Sequence, residues 1–261
     1  MPFRAFTALH SGTTTQVNTI TGTVPAACAA GDVLLIAAQQ SSGTNTLTVT
    51  NSGPTTPTLV SGPQVTTNNN TVYVWVMALA AGDLGATVTV TAPGGGYFDG
   101  ALHAFSGVQV TGLVSAVASI TAAATTITTP AVTTTVANCD IATILALRST
   151  ATTSPTATPP SSQTRDGAAT TGASGASPSF TVVGGHRTTP GAAGSYGNAA
   201  WTLSSASTGS AFTVALQPTS VAGSDTGFTA SYVDSGGTVH RCDVFYADAS
   251  GALVQVSSKT S

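Results

Sequence analysis

The stretch VYVWVMALAAGDLGATVTVT, residues 72–91, decides how the rest of the chain is read. Its opening run, Val72-Tyr73-Val74-Trp75-Val76-Met77, is apolar at odd and even positions alike. Successive side chains of a strand point to opposite faces, so this is a central strand covered on both sides. An opposing sheet supplies one cover; a loop or a neighbouring subunit must supply the other. Ala81-Gly82-Asp83 then marks a turn, and ATVTVT (residues 86–91) alternates with the period of a strand that has one wet face. Covered strands alternating with half-exposed ones point to a β-sandwich.

The same texture runs outward in both directions. TLTVT (46–50) and AFTVAL (211–216) are further period-two segments. Turn clusters recur at Ala30-Gly31-Asp32, Asn51-Ser52-Gly53-Pro54, Asn68-Asn69-Asn70 and Gly94-Gly95-Gly96. Strands are expected near 3–9, 17–24, 32–39, 45–50, 57–62, 71–79, 86–92, 98–107, 127–136, 140–148, 179–187, 197–204 and 210–217. The Ser/Thr/Ala/Gly/Pro-rich tract 149–179 reads as one edge strand around 155–163 followed by a long surface loop. Trp75 and Trp201 have apolar neighbours at strand spacing and read as core. The length suits one large sandwich with a small appendage: 1–219 a jelly-roll-like sandwich, 220–261 a C-terminal β appendage. AAGDVLLIAA (29–38) echoes ANCDIATILAL (137–147), and GYFDGALHAFSGV echoes GSAFTVALQPTSV. An internal duplication, with Greek-key halves at about 17–108 and 127–219 around one core, accounts for both echoes; chance likeness between buried strands is the alternative.

Charge is nearly absent. Asp, Glu, Lys and Arg make up 6% of the chain, against about 25% in ordinary soluble domains. All the acids are aspartate, and Lys259 is the only lysine. The scattered cations give no stripe for nucleic acid, no segment has the length and apolarity of a membrane-spanning helix, and the N-terminus lacks the apolar core of a signal peptide. The expectation is synthesis in a cytosol, with neither nucleic acid nor membrane insertion. Cys28, Cys139 and Cys242 have no framework spacing and read as reduced, buried small hydrophobes. Asp225-Thr226-Gly227 matches the aspartic-protease tripeptide but lacks its apolar strand and second copy, so it reads as a turn. His10, His103, His186 and His240 share no metal-ligand spacing, and the Gly-Asp pairs at 31–32 and 82–83 read as turns rather than calcium loops. No cofactor, metal or catalytic residue is implied.

One constellation stands out. Tyr97, Asp99 and His103 fall on the same face of one strand, with Phe105 beside them. An aromatic ring with planar hydrogen-bonding groups is what a bound sugar needs, so they form a candidate glycan site. The alternative is that this face covers the sheet or meets a neighbouring subunit. In the C-terminal segment charge density rises, and GFTASYV, TVHRCDVFYA and ALVQVS read as a three-stranded meander. So small a meander cannot stand alone. Apolar residues on both its faces make Phe228, Tyr232, Arg241, Asp243, Phe245 and Tyr246 a candidate assembly interface.

Several motifs together carry a family resemblance. VPAACAAGDVLLIAA, the segment VYVWVMALAAGDLGATVTVTAPGGGYFDGALHAFSGV, and the second half ending in VALQP resemble the jelly-roll modules of tail and other virion proteins of double-stranded DNA bacteriophages, particularly those infecting actinobacteria. The resemblance spans about residues 17–218. It implies a non-enzymatic virion protein, made in the host bacterial cytoplasm and exposed on the particle. Its partners would be itself (a trimer is the symmetry implied), other virion proteins and host-surface glycan. A minor tail or tail-tip protein is the first reading, a capsid decoration or minor capsid protein the second. An adhesin or carbohydrate-binding module of a bacterial surface protein is a third. Where such modules show an aromatic after their Pro-Pro pair, this chain has Ser161-Ser162-Gln163, so that loop is not expected to stack a sugar.

Overall fold

The computed structural model describes residues 3–10, 16–41, 46–66, 70–149, 154–171, 179–187, 191–219, 230–233, 239–242, 245–247 and 253–255. The chain divides into two units, 1–219 and 220–261. The first half of unit one is built from β1 (Phe3–His10), β2 (Val17–Thr23), β3 (Val33–Gln40), β4 (Thr48–Asn51), β5 (Thr58–Val65), β6 (Thr71–Ala78), β7 (Thr87–Gly96) and β8 (Phe98–Phe105). They form two antiparallel sheets, β1-β8-β3-β6-β5 and β2-β7-β4. Chain neighbours mostly sit in opposite sheets, the double Greek key of a jelly roll; β5 is carried at the edge of the larger sheet.

The second half comprises β9 (Val108–Thr128), β10 (Val132–Thr134), β11 (Asp140–Ser149), β12 (Ala157–Thr158), β13 (Gln163–Thr171), β14 (Ser179–Arg187), β15 (Gly194–Tyr196) and β16 (Ala200–Pro218). Apart from an added pair, β10 with β15, it repeats the strand order of the first. The start of β9 pairs with the end of β16, and β16-β11-β14-β13 follow, matching β1-β8-β3-β6-β5. The end of β9, the start of β16 and β12 pair as β2, β7 and β4 do. Thus β9 and β16 each run through both layers, where the first half uses two strands. Each half is a complete jelly roll rather than a Greek-key half of a single one. In each half the repeat begins with a strand that lies before the expected boundary, at Phe3 and Val108. The strands bearing the two sequence echoes, β3 with β11 and β8 with the end of β16, occupy corresponding places.

The jelly rolls pack back to back through their larger sheets. Leu34, Ile36 and Ala38 of β3 face Ile20, Val88 and Val90 within the first roll. Val33, Leu35 and Ala37, on the other face, meet Ala142, Ile144, Val182, Phe212 and Val214 of the second. Beyond that sheet, Leu145 and Leu147 pack with Trp201, Leu203 and Ile127. This explains the run at 72–77: its second cover is the chain's own second jelly roll. Each large side chain so enclosed contributes about 1.5–3 kcal/mol.

Three stretches differ from expectation. Residues 163–171, read as loop beyond 163, are strand β13. Residues 108–126, left unassigned, are most of β9, and the strands expected at 197–204 and 210–217 are one continuous β16. In unit two, β17 (Ala230–Val233) pairs with β18 (Val239–Cys242), and β19 (Phe245–Ala247) with β20 (Leu253–Gln255). These pairs fall on the three segments expected to be strands, and residues 243–244, between β18 and β19, lie outside the described residues. Of the candidate assembly residues, Tyr232, Arg241, Phe245 and Tyr246 lie on these strands, while Phe228 and Asp243 lie outside the described residues, as does Asp225.

Candidate functional site

The densest polar chemistry lies between the two jelly rolls. On β13 the register with β14 slips between Arg165↔Gly185 and Gly167↔Gly184, leaving Asp166 as the extra residue of a β-bulge. A bulge breaks the alternation of a strand and re-aims a side chain. Here it sends the carboxylate inward, where Oδ2 lies 2.6 Å from His103 Nε2 of β8 and Oδ1 lies 2.6 Å from His186 Nδ1 of β14. His103 belongs to the first roll and the other two to the second, so this clamp spans their interface. Phe3 stacks on His186 at 5.1 Å and meets His103 edge-on at 5.4 Å; Phe105 lies 4.3 Å from His103. The slot beside the clamp is cut by two facing glycines. A Cβ at Gly167 would stand 2.3 Å from the Phe6 ring, and one at Gly184 2.7 Å from it.

Burial and pairing set the charges. Burial pushes Asp166 up, but hydrogen bonds from both imidazoles outweigh it and hold the carboxyl below its ordinary value. Burial alone would lower His186; the hydrogen bond and charge of Asp166, with Asp140 behind them, raise it instead. For His103 burial wins over Asp166 and the ring is held below its ordinary value. These directions favour an imidazolium at His186, a carboxylate at Asp166 and a neutral imidazole at His103, whose Nε2 then donates to Asp166. Asp140 opens β11 two residues before Ala142, the partner of His186. Burial pushes it up to about 6, partly offset by His186.

This arrangement is suited to holding rather than to reacting. The side chains of His103 and Asp166 are 2% and 1% exposed, so no substrate can be seated against them. Tyr97, Asp99 and His103 do share one face, but it is the inner one: Asp99 and His103 are buried, and Tyr97 stacks on Phe180 of β14 at 6.1 Å. A glycan cannot reach that face, and the cover comes from the same chain, not from a neighbouring subunit. Sequence reasoning noted His186 without a partner and missed Asp166, because a bulge in a charged, glycine-bearing segment has no periodic signature.

The other described aspartates are also inside. Asp83 accepts from Asn51 Nδ2 at 2.7 Å, from Thr55 N and Oγ1, and from Ala80 N, tying the turn at 81–83 to the loop after β4. Burial pushes its carboxyl up, and these bonds together bring it below the ordinary value. Asp32 accepts from Ala29 N at 2.8 Å and pairs with Arg4 at 3.3 Å. Asp99 accepts from Gly100 N. Cys28 and Cys139 are buried and unpaired; burial, reinforced by Asp32 and partly offset by Arg4, pushes the Cys28 thiol up to about 11.

On the opposite face of the same strand ends lies an open pocket of about 210 Å³, lined by Gln163, Arg187, Ser195 and Tyr196 among others. Arg187 follows His186, and Gln163 pairs with it across β13 and β14. The Arg187 guanidinium lies over the Tyr196 ring, 4.4 Å from its centre. Trp201 Nε1 donates to Gln163 Oε1 at 2.9 Å, consistent with a core tryptophan. Among the described residues no helix is long and apolar enough to cross a membrane, and no group of His, Cys, Asp or Glu could hold a metal ion. Compared with known proteins, the chain matches no family model, no curated protein and no solved structure.

Proposed function

We propose that this chain is a non-enzymatic structural protein of a bacteriophage virion, a minor tail or tail-tip component exposed on the particle and in contact with the host surface. The observation that carries this reading is where the charge goes. Asp32, Asp83, Asp99, Asp140 and Asp166 all lie inside the fold, Asp32 and Asp83 as turn ties and Asp166 as a clamp between sheets. Little titratable chemistry is left for turnover, and the surface is solvated by hydroxyls and amides. The second support is mechanical: two jelly rolls share an apolar interface pinned by a buried ionic clamp, a form suited to bearing load. The third is the motif resemblance to phage jelly-roll modules. Unit two, with two short strand pairs, is too small to bury a core of its own and serves as the assembly element, on a second copy or on another virion protein. Immunogold labelling of purified particles tests the reading. Label at the tail end is expected; label over the capsid would move the protein to a decoration role, and its absence from particles would refute the proposal.

A further inference from the structure

We propose that the pocket walled by β13, β14 and β15 binds a single carboxylate-bearing sugar unit, a hexuronate, with Arg187 as its anion contact. The chain has few cations, and this one sits in a concavity. Among the described residues Arg187 has no carboxylate partner, whereas Arg4 is paired with Asp32. Stacking on Tyr196 holds the guanidinium in place, and Tyr196 is itself fixed by donating from its hydroxyl to Ala192 O. A planar fork held this way matches a carboxylate with little ordering left to do on binding.

The rest of the lining selects the class of acid. One cation, with no helix N-terminus beside it, suits a singly charged carboxylate better than a phosphate, whose charge calls for several donors. Ser162, Gln163 and Ser195 bring hydroxyl and amide groups to the rim, with Ile141 as apolar floor. Trp201 occupies the Gln163 amide oxygen, so its NH₂ is the group that remains for a ligand hydroxyl. About 210 Å³ is smaller than the pockets of roughly 300–1,000 Å³ that enclose drug-sized molecules, which limits the occupant to one ring. Hydroxyls plus one carboxylate on a single ring describe a uronic acid.

This inference deepens the reading of an exposed particle protein that touches host-surface glycan, and it is tested on the purified chain alone, so failure of the pocket and failure of the virion reading are distinguishable. The full chain is titrated by NMR with glucuronate, and with glucose and acetate as controls. Glucuronate is expected to bind in the millimolar range, with each control weaker by about tenfold or more. Arg187→Gln should weaken glucuronate binding by about tenfold or more. Ser195→Trp, at an exposed position, should block the pocket without disturbing the fold, and stands as the test if Arg187→Gln misfolds. Absence of glucuronate binding, equal binding of acetate or glucose, or binding unchanged in Ser195→Trp would each overturn the proposal.

Discussion

Asp140 carries a charge its surroundings resist. Burial raises its carboxyl from 3.8 to about 6, so the folded state favours the neutral acid. The stability linked to that proton is present below 3.8 and is lost as pH rises through 6. Asp140→Asn is therefore expected to stabilise the protein by about 3 kcal/mol at pH 8 and to have little effect near pH 4. His103, held below its ordinary value, has the opposite slope: its contribution is present above 6.5 and is lost as pH falls. In the wild type these two slopes oppose each other between pH 4 and 6.5, and the substitution removes one of them. Denaturant melts across pH should show the variant losing more stability toward acid than the wild type does in that window. An Asp140→Asn protein less stable than wild type at pH 8 would mean that the His186 contact outweighs burial. Two further groups bound the window. His186, raised, gives up its contribution as pH climbs above 6.5, and Asp166, lowered, as pH falls below 3.8.

At the scale of elements, β1 is keyed to the second jelly roll by Phe6, which enters the slot between Gly167 and Gly184. A methyl at residue 184 collides with the ring, so Gly184→Ala should cost about 2 kcal/mol. In a Phe6→Ala background, where only His103 Nδ1 at 3.3 Å still crowds the methyl, the same change should cost clearly less, a coupling that a double-mutant cycle measures directly. Equal costs in both backgrounds would show that the glycine serves β14 alone. The slot also shows what the sequence could and could not reveal. Strands β3, β6, β8, β11 and β14 were legible because both faces are apolar and turn residues bound them. The first part of β9 was not, since VQVTGLVSAVASITAAATT packs with small, half-exposed Ala, Ser and Thr that leave no hydrophobic period. Strand β13, QTRDGAATT, hides behind a bulge and two charges. For the site, the shared face of Tyr97, Asp99 and His103 was readable from alternation. That this face is interior was not, because its cover lies more than sixty residues away in Asp166 and beyond. Arg187 ends β14 and Tyr196 ends β15, and the two carry no shared motif.

At the scale of the whole molecule, a duplicated jelly roll carries its described aspartates inside, and a small second unit follows it along the chain. If that unit is the assembly element, deleting residues 220–261 should leave residues 1–219 folded, since the back-to-back core lies wholly within them, yet keep the protein out of particles. The most direct test of the account is quantitative mass spectrometry of gradient-purified particles made with the full-length or the truncated chain. The account predicts the full-length protein at a fixed copy number per particle and the truncated one only in the unassembled fraction. A full-length protein found solely in the unassembled fraction would contradict the assignment to the virion, and a truncated protein present at normal copy number would contradict the role given to the C-terminal unit.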